Sequence, residues 1–230
     1  MNLILKTTNK IDDAAEFVSS SILKQLRSGK RVLFFMAGGS AISVAVKVSQ
    51  ILREYPDKNL IKNLTVTLTD ERYGPVGHFD SNWQQLLDKG FYLPQAKRIP
   101  VLTGNDFAAE TEKFNKILHE KLMVGGEDEY RIGLFGIGRD GHTAGILPGS
   151  LAVDAEGYAF AYKTEKFERI TITLKTIEKL DEIIVWAQDK EKWKVIENLL
   201  LNENTDIIKQ PAQILKKVPL LTIFTDYKNL

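Results

Sequence analysis

Val32-Leu-Phe-Phe-Met36 is an apolar run with no polar side left for water. A run this short suits a strand better than a helix, and a strand that is apolar on both faces has to be covered on both faces. Ile132-Gly-Leu-Phe135 repeats the pattern. With these go strand-type runs at residues 3–6, 31–36, 64–69, 131–135, 170–173, 182–187 and 220–225. Helical periodicity fills the intervals at 11–27, 41–53, 81–88, 107–123 and 190–202, with a short stretch near 211–215. Strand and helix in alternation predict parallel βα units, hence an α/β fold: a three-layer αβα sandwich on a mostly parallel, Rossmann-like sheet. The first helix is well marked. Asp12, Asp13 and Glu16 open it, Lys24 and Arg27 close it, and Gly29 stands where a C-terminal cap belongs.

A chain of 230 residues fits one domain spanning 1–230. Its 31 basic and 30 acidic residues leave a formal charge of +1 and form no block of one sign, which argues against a nucleic-acid arm or a membrane-surface helix. With no cysteine, disulfides, thiolate zinc sites and cysteine nucleophiles are excluded, and a reducing compartment fits. Nowhere do about 18 apolar residues run together, and Met-Asn-Leu-Ile-Leu-Lys is too short for a signal peptide. The expectation is a soluble, cytoplasmic protein, monomer or small homo-oligomer, with neither nucleic acid nor membrane as partner. Residues 124–130 read as an acidic surface loop.

Three segments that follow strands carry chemistry. Met36-Ala-Gly-Gly-Ser-Ala41 opens a helix with glycines, so backbone amides and the helix dipole can approach an anion, although Ser40 equally suits a simple N-cap. No Lys-Ser or Lys-Thr follows, so it is not a nucleotide P-loop. The second, 69–82, crowds Asp70, Glu71, Arg72, His78, Asp80 and Asn82 between turn-forming Gly74, Pro75 and Gly77. There Arg72 offers a planar donor fork for phosphate, while a solvated salt-bridge cluster is the plainer reading, and Asp80 and Ser81 suit the N-terminus of the next helix. In the third, Gly136-Ile-Gly-Arg-Asp-Gly-His142, Asp140 and His142 share a glycine turn, and histidine exchanges protons near neutral pH. On a parallel sheet all three can converge at the C-terminal edge. The histidines and carboxylates have no familiar metal-ligand spacing, so no metal and no cofactor are expected. His119, Trp83, Trp186 and Trp193 read as packing residues.

Taken together, Gly38-Gly39-Ser40, Asp70-Glu71-Arg72 with His78-Phe-Asp-Ser-Asn82, Gly136-Ile-Gly-Arg-Asp-Gly-His-Thr-Ala144, Arg169-Ile-Thr-Ile-Thr173 and Pro211-Ala212 resemble the 6-phosphogluconolactonases. More broadly they resemble the sugar-phosphate superfamily that includes the glucosamine-6-phosphate deaminases. Where a deaminase carries a glutamate five residues beyond the turn histidine, this chain has Leu147, and it has Arg72 and Thr143 where deaminases usually have tyrosine and isoleucine or valine. The chain departs from the lactonase pattern at Gly145-Ile-Leu147 and in the stretch Lys163-Thr-Glu-Lys-Phe-Glu168, which replaces a proline-rich lead.

The resemblance implies hydrolysis of a small phosphosugar lactone, 6-phospho-D-glucono-1,5-lactone. His142 would be general base, and Asp140 would orient it or the sugar hydroxyls unless it merely forms the turn. The Gly38-Gly39-Ser40 amides with Arg72 and Arg169 would bind phosphate, Lys163 being an alternative to Arg169. Asp70, His78 and Asn82 would be further substrate contacts. Two other readings remain, a glucosamine-6-phosphate deaminase or isomerase and a non-catalytic sugar-phosphate-binding domain.

Overall fold

The computed structural model describes residues 2–124, 126, 128–201 and 205–228. Its strands in chain order are β1 (Asn2–Thr7), β2 (Arg31–Met36), β3 (Leu64–Leu68), β4 (Asp70–Arg72), β5 (Lys97–Arg98), β6 (Glu129–Gly136), β7 (Ala159–Lys163), β8 (Glu168–Ile172), β9 (Glu182–Ala187) and β10 (Leu220–Thr225). Seven form one sheet in the order β1-β10-β9-β6-β2-β3-β5, parallel throughout. The unbroken apolar strand β2 lies inside it, between β3 and β6, with every residue from Val32 to Met36 buried. Helices flank the sheet, chief among them α1 (Ile11–Arg27), α2 (Ile42–Glu54), α3 (Lys58–Ile61), α4 (Asn82–Asp88), α5 (Phe107–His119), α6 (Leu174–Ile177) and α7 (Trp193–Leu201).

Local chemistry explains several boundaries. Along α1, Ala14, Ala15, Val18, Ile22 and Leu26 form one buried stripe, and Gly29 ends the helix at φ +85° with its N–H on the Leu26 carbonyl. Ser81 caps α4, its hydroxyl accepting the N–H of Gln84 at 3.1 Å. Ser40 caps nothing: a 3₁₀ turn, Gly39–Ala41, precedes α2, whose N-terminus has no side-chain cap. Among the described residues no helix is long and apolar enough to cross a membrane.

The main departure from the sequence reading is a second sheet, antiparallel, of β4, β8 and β7. Residues 170–173, expected beside the other parallel strands, run instead into β8, and the polar triplet Asp70–Arg72, expected as loop, is β4. Periodicity has no hold on three polar residues, because pairing with a strand about a hundred positions away is what extends them. Two bonds flank that pairing, Ile172 N–H to Thr69 O and Tyr73 N–H to Glu168 O, both 2.8 Å. The expected acidic loop is corrected too: Glu129 and Tyr130 are buried in β6, and residues 125 and 127 of that loop lie outside the described ones. The expected helix 107–123 turns to π geometry at Glu120–Val124, and the expected helix 190–202 opens as a 3₁₀ turn, Lys190–Lys192; its last residue, 202, is not described. A 3₁₀ helix, Pro211–Lys217, covers the expected 211–215.

Glu71 joins β4 to α4. Its carboxylate is buried and accepts four donors: the N–H groups of Arg72 (2.8 Å), Asn82 (2.6 Å) and Trp83 (3.1 Å) and the Ser81 hydroxyl (2.9 Å). Burial pushes this carboxyl above its ordinary range even though every one of those bonds favours the charge. Glu71→Gln turns an NH₂ toward donors it cannot accept from, and a loss of about 1–3 kcal/mol of stability is expected in urea denaturation. An unchanged midpoint and slope would contradict this role.

Candidate active site

Strands β9, β6, β2 and β3 are neighbours and end on the same edge, and the chain leaving them encloses a cavity of about 340 Å³. Ala37, Gly38, Gly39 and Ser40 enter from β2. Gly136, Ile137, Gly138, His142 and Ala144 come from β6 and Lys192 from β9, while Asp70, Arg72 and Asn82 follow β3 and Arg169 stands on β8. Of the residues singled out in the sequence, Gly38, Gly39, Ser40, Asp70, Arg72, Asn82, His142 and Arg169 therefore share one wall-to-wall space.

The two glycines after β2 are required by different things. A side chain on Gly38 would overlap the Asn82 amide, and Gly39 sits at φ +64°. Asn82 is held in turn by Asp70, donating from Nδ2 to its carbonyl (2.9 Å) and more weakly to Oδ2 (3.4 Å). Thr69 Oγ1 donates to Asp70 Oδ1 at 3.0 Å, so this carboxylate is fixed from both sides.

In the β6 turn, Asp140 Oδ1 accepts the backbone N–H of His142 (3.2 Å) and stands 2.6 Å from its ring Nδ1. A neutral imidazole that donates from Nδ1 carries its lone pair on Nε2, the geometry of an oriented base. Burial opposes ionisation of Asp140, but the His142 charge and hydrogen bonds outweigh it and hold the carboxyl below its ordinary range. Because its native value lies below the unfolded one, Asp140 favours the folded state at neutral pH. That contribution disappears only as pH falls through the native value. The ring also lies close against Gly138, where a Cβ would overlap Nδ1 and the Asp140 carboxylate. Three backbone bonds hold the turn: Gly138 N–H to His142 O (2.9 Å), Gly141 N–H to Gly138 O (3.0 Å) and Ala212 N–H to Gly141 O (2.9 Å).

Arg72 and Arg169 are register partners across β4 and β8. Like charges directly opposite on paired strands repel. Part of the compensation comes from the Phe167 ring, 4.8 Å from the Arg72 guanidinium and 5.4 Å from that of Arg169, and from Asp70 Oδ2, 3.4 Å from Arg169. Arg72 also donates to the Asp80 carbonyl at 2.9 Å. The buried Nε atoms of both arginines have no protein partner. Two guanidiniums with spare donors, one of them paired with a carboxylate, line the same cavity as Gly38 and Gly39, an arrangement suited to an anion.

Asp140 does not itself line the cavity and reaches it only through His142, and two further expected residues stand elsewhere. His78 does not line the cavity: its Nε2 donates to the Arg72 carbonyl at 2.9 Å and its ring packs on Gly74, closing the loop from within. Lys163 is exposed and paired with Glu168 at 2.6 Å, away from the cavity, so it cannot replace Arg169. Nor does Leu147 line it; its N–H meets the Tyr162 hydroxyl. His119 is exposed on α5 with its ring against Tyr158, and Trp83, Trp186 and Trp193 pack as read. Two residues were missed. Lys192 enters the cavity 3.5 Å from Ser40 Oγ, and burial pushes its ammonium below the ordinary lysine value against the opposing charges of Asp189 and Asp226. Phe167 lies in the segment where the chain departs from the proline-rich pattern, which was its one signal. For Lys192 the signal was position, just past a strand ending at the same edge. Among the described residues no group of three or more histidines and carboxylates would hold a metal ion.

A family model described as glucosamine-6-phosphate isomerases/6-phosphogluconolactonase matches residues 6–222. The chain is similar to the 6-phosphogluconolactonase of Borreliella burgdorferi, 28% identical over 173 residues, which cover 70% of this chain and 72% of that one. With the Neisseria meningitidis serogroup A 6-phosphogluconolactonase it shares 28% over 216 residues, 84% of this chain and 87% of the relative. Its fold is that of the 6-phosphogluconolactonase structures from Thermotoga maritima (TM-score 0.78, 19% identity, 97% and 98% of the two chains) and Trypanosoma brucei (TM-score 0.75, 20%, 97% and 96%).

The opposed arginines generate a prediction that needs no substrate. At about tenfold excess over its dissociation constant, inorganic phosphate should stabilise the protein by about 1.4 kcal/mol. Thermal melting should register the gain, and Arg169→Ala should abolish it. A gain that survives in Arg169→Ala places the anion elsewhere.

Proposed function

The chain belongs to the glucosamine-6-phosphate isomerase/6-phosphogluconolactonase family, and from that premise we propose that it hydrolyses 6-phospho-D-glucono-1,5-lactone to 6-phospho-D-gluconate. One observation carries the reading: a carboxylate-oriented histidine and an opposed arginine pair share one cavity, so a proton-transfer group and a dianion grip face the same bound molecule.

His142 Nε2 takes a proton from water as the water oxygen attacks the lactone carbonyl carbon. Asp140, hydrogen-bonded at Nδ1, stabilises the imidazolium that forms. Collapse of the tetrahedral intermediate breaks the bond from that carbon to the ring oxygen. His142 returns its proton to the departing oxygen, and the new carboxylic acid then ionises. The phosphate lies on Arg72, Arg169 and Lys192 with the amides of Gly39 and Ser40, a set of three cations and two dipoles suited to a charge of about −1.5 to −2. Asp70 and Asn82, both buried and mutually hydrogen-bonded, are left to receive sugar hydroxyls. No cofactor enters this scheme. We read the chain as one catalytic domain acting in the cytoplasm.

With freshly made lactone and 6-phosphogluconate oxidation as the readout, His142→Ala should lower kcat by about 10²–10⁴-fold. Full activity in that variant removes the assigned base. Arg72→Ala should raise KM for the phosphorylated lactone much more than for unphosphorylated gluconolactone. Equal effects on the two substrates would rule out a phosphate contact.

A further inference from the structure

Lys192 reaches the cavity from an unpromising place, an exposed 3₁₀ turn, Lys190–Lys192, between β9 and α7. The turn starts from Asp189 at φ +101°, ψ 134°, a backbone conformation that residues with a side chain hold only when their surroundings force it. The forcing group stands one residue past the neighbouring strand, β10. Because Ala187 of β9 is level with Thr225 of β10, the residues just beyond both strands meet, and the backbone N–H of Asp189 points into the Asp226 carboxylate at 3.2 and 3.3 Å from its two oxygens. The same carboxylate accepts the indole N–H of Trp193, the first residue of α7, at 2.9 Å. One carboxylate therefore grips the turn immediately before it starts and immediately after it ends. Trp193 is steadied further by Tyr227, edge-on with centroids 5.8 Å apart. Within the turn, Lys192 N–H bonds the Asp189 carbonyl at 3.0 Å and Asp189 Oδ1 accepts Glu191 N–H at 3.4 Å.

The geometry points to Asp226 as a positioning residue for phosphate capture: by fixing both ends of the Lys190–Lys192 turn it holds the Lys192 ammonium in the cavity beside Ser40. This rests on the reading of Lys192 as a phosphate contact. Charge adds a second effect. Lys192 is faced by Asp189 on its own turn, by Asp226 from β10 and by Ser40 from the turn after β2, while Arg72, Arg169, His142 and Asp70 share its cavity. Asp189 and Asp226 are the anions that keep its proton on against burial. Asp226 thus serves the lysine by shape and by charge, and the two parts separate experimentally, since an asparagine keeps the acceptor oxygen and loses the charge.

The experiment is steady-state kinetics of Lys192→Ala, Asp226→Asn, Asp226→Ala and the Lys192→Ala/Asp226→Ala double variant on the phosphorylated lactone, with KM followed from pH 6 to 9. Asp226→Ala should raise KM about 5- to 20-fold, toward the Lys192→Ala value, with kcat nearly unchanged, and the double variant should be no worse than Lys192→Ala alone. Asp226→Asn should nearly match the wild type at pH 6 but show its alkaline rise in KM at lower pH, because Lys192 then sheds its proton sooner. If Asp226→Ala fails to fold, the Asp226→Asn pH profile decides. Additive effects in the double variant would overturn the clamp, and a wild-type pH profile for Asp226→Asn while Lys192→Ala raises KM would overturn the charge effect. A Lys192→Ala variant with unaltered KM would overturn the phosphate reading of Lys192 and the clamp with it.

Discussion

Met36 at the end of β2 is level with Leu68 of β3 on one side and Leu134 of β6 on the other, and the cavity exists because of that register. Each strand ends within two residues of this line, so the glycine turn after β2, the path to Asp70 and the Asp140–His142 turn leave the sheet at one height. The register is in turn enforced by burial. Val32 to Met36 present apolar side chains to both faces, and a slip by one residue would have to remake the packing of both helical layers at once. A group placed at the tip of such a strand inherits the rigidity of the core behind it.

Against this rigid edge stands a small antiparallel sheet whose task is electrostatic. Pairing β4 with β8 sets Arg72 opposite Arg169, an arrangement of like charges that costs stability. The core holds the pair together, Phe167 offers a π-face to both guanidiniums, and Glu71 anchors the strand to the start of α4 with three hydrogen bonds. On the proposed function, a site assembled in advance spares the substrate the work of organising it, so that binding energy would go into affinity for the dianion and into orientation at the distant carbonyl. The Asp189 turn follows the same logic, as strain at one residue is borne by a carboxylate just past another strand.

Legibility varied with the range of the interaction that decides each feature. The parallel strands and long helices announce themselves because apolar periodicity is local, and so does the Asp140–His142 pair, two residues apart in a glycine turn. β4, Lys192 and Phe167 do not. Each owes its place to a partner distant in the chain, and nothing in Asp70-Glu-Arg72 by itself distinguishes a three-residue strand from a loop. His78 failed in the opposite direction, since a histidine in a polar loop advertises chemistry, yet its ring nitrogen is spent on the Arg72 carbonyl.

By itself, then, the sequence determined an α/β sandwich on a parallel sheet and marked three segments that follow strands, with Asp140 and His142 close together in one of them, because all of these rest on burial patterns and contacts a few residues apart. Tertiary structure alone decided that Arg72 faces Arg169, that Lys192 and not Lys163 completes the cavity, and that Asp226 holds the turn delivering it. Those facts depend on which strands become neighbours and in what register, a property of the whole chain's packing and of no single segment.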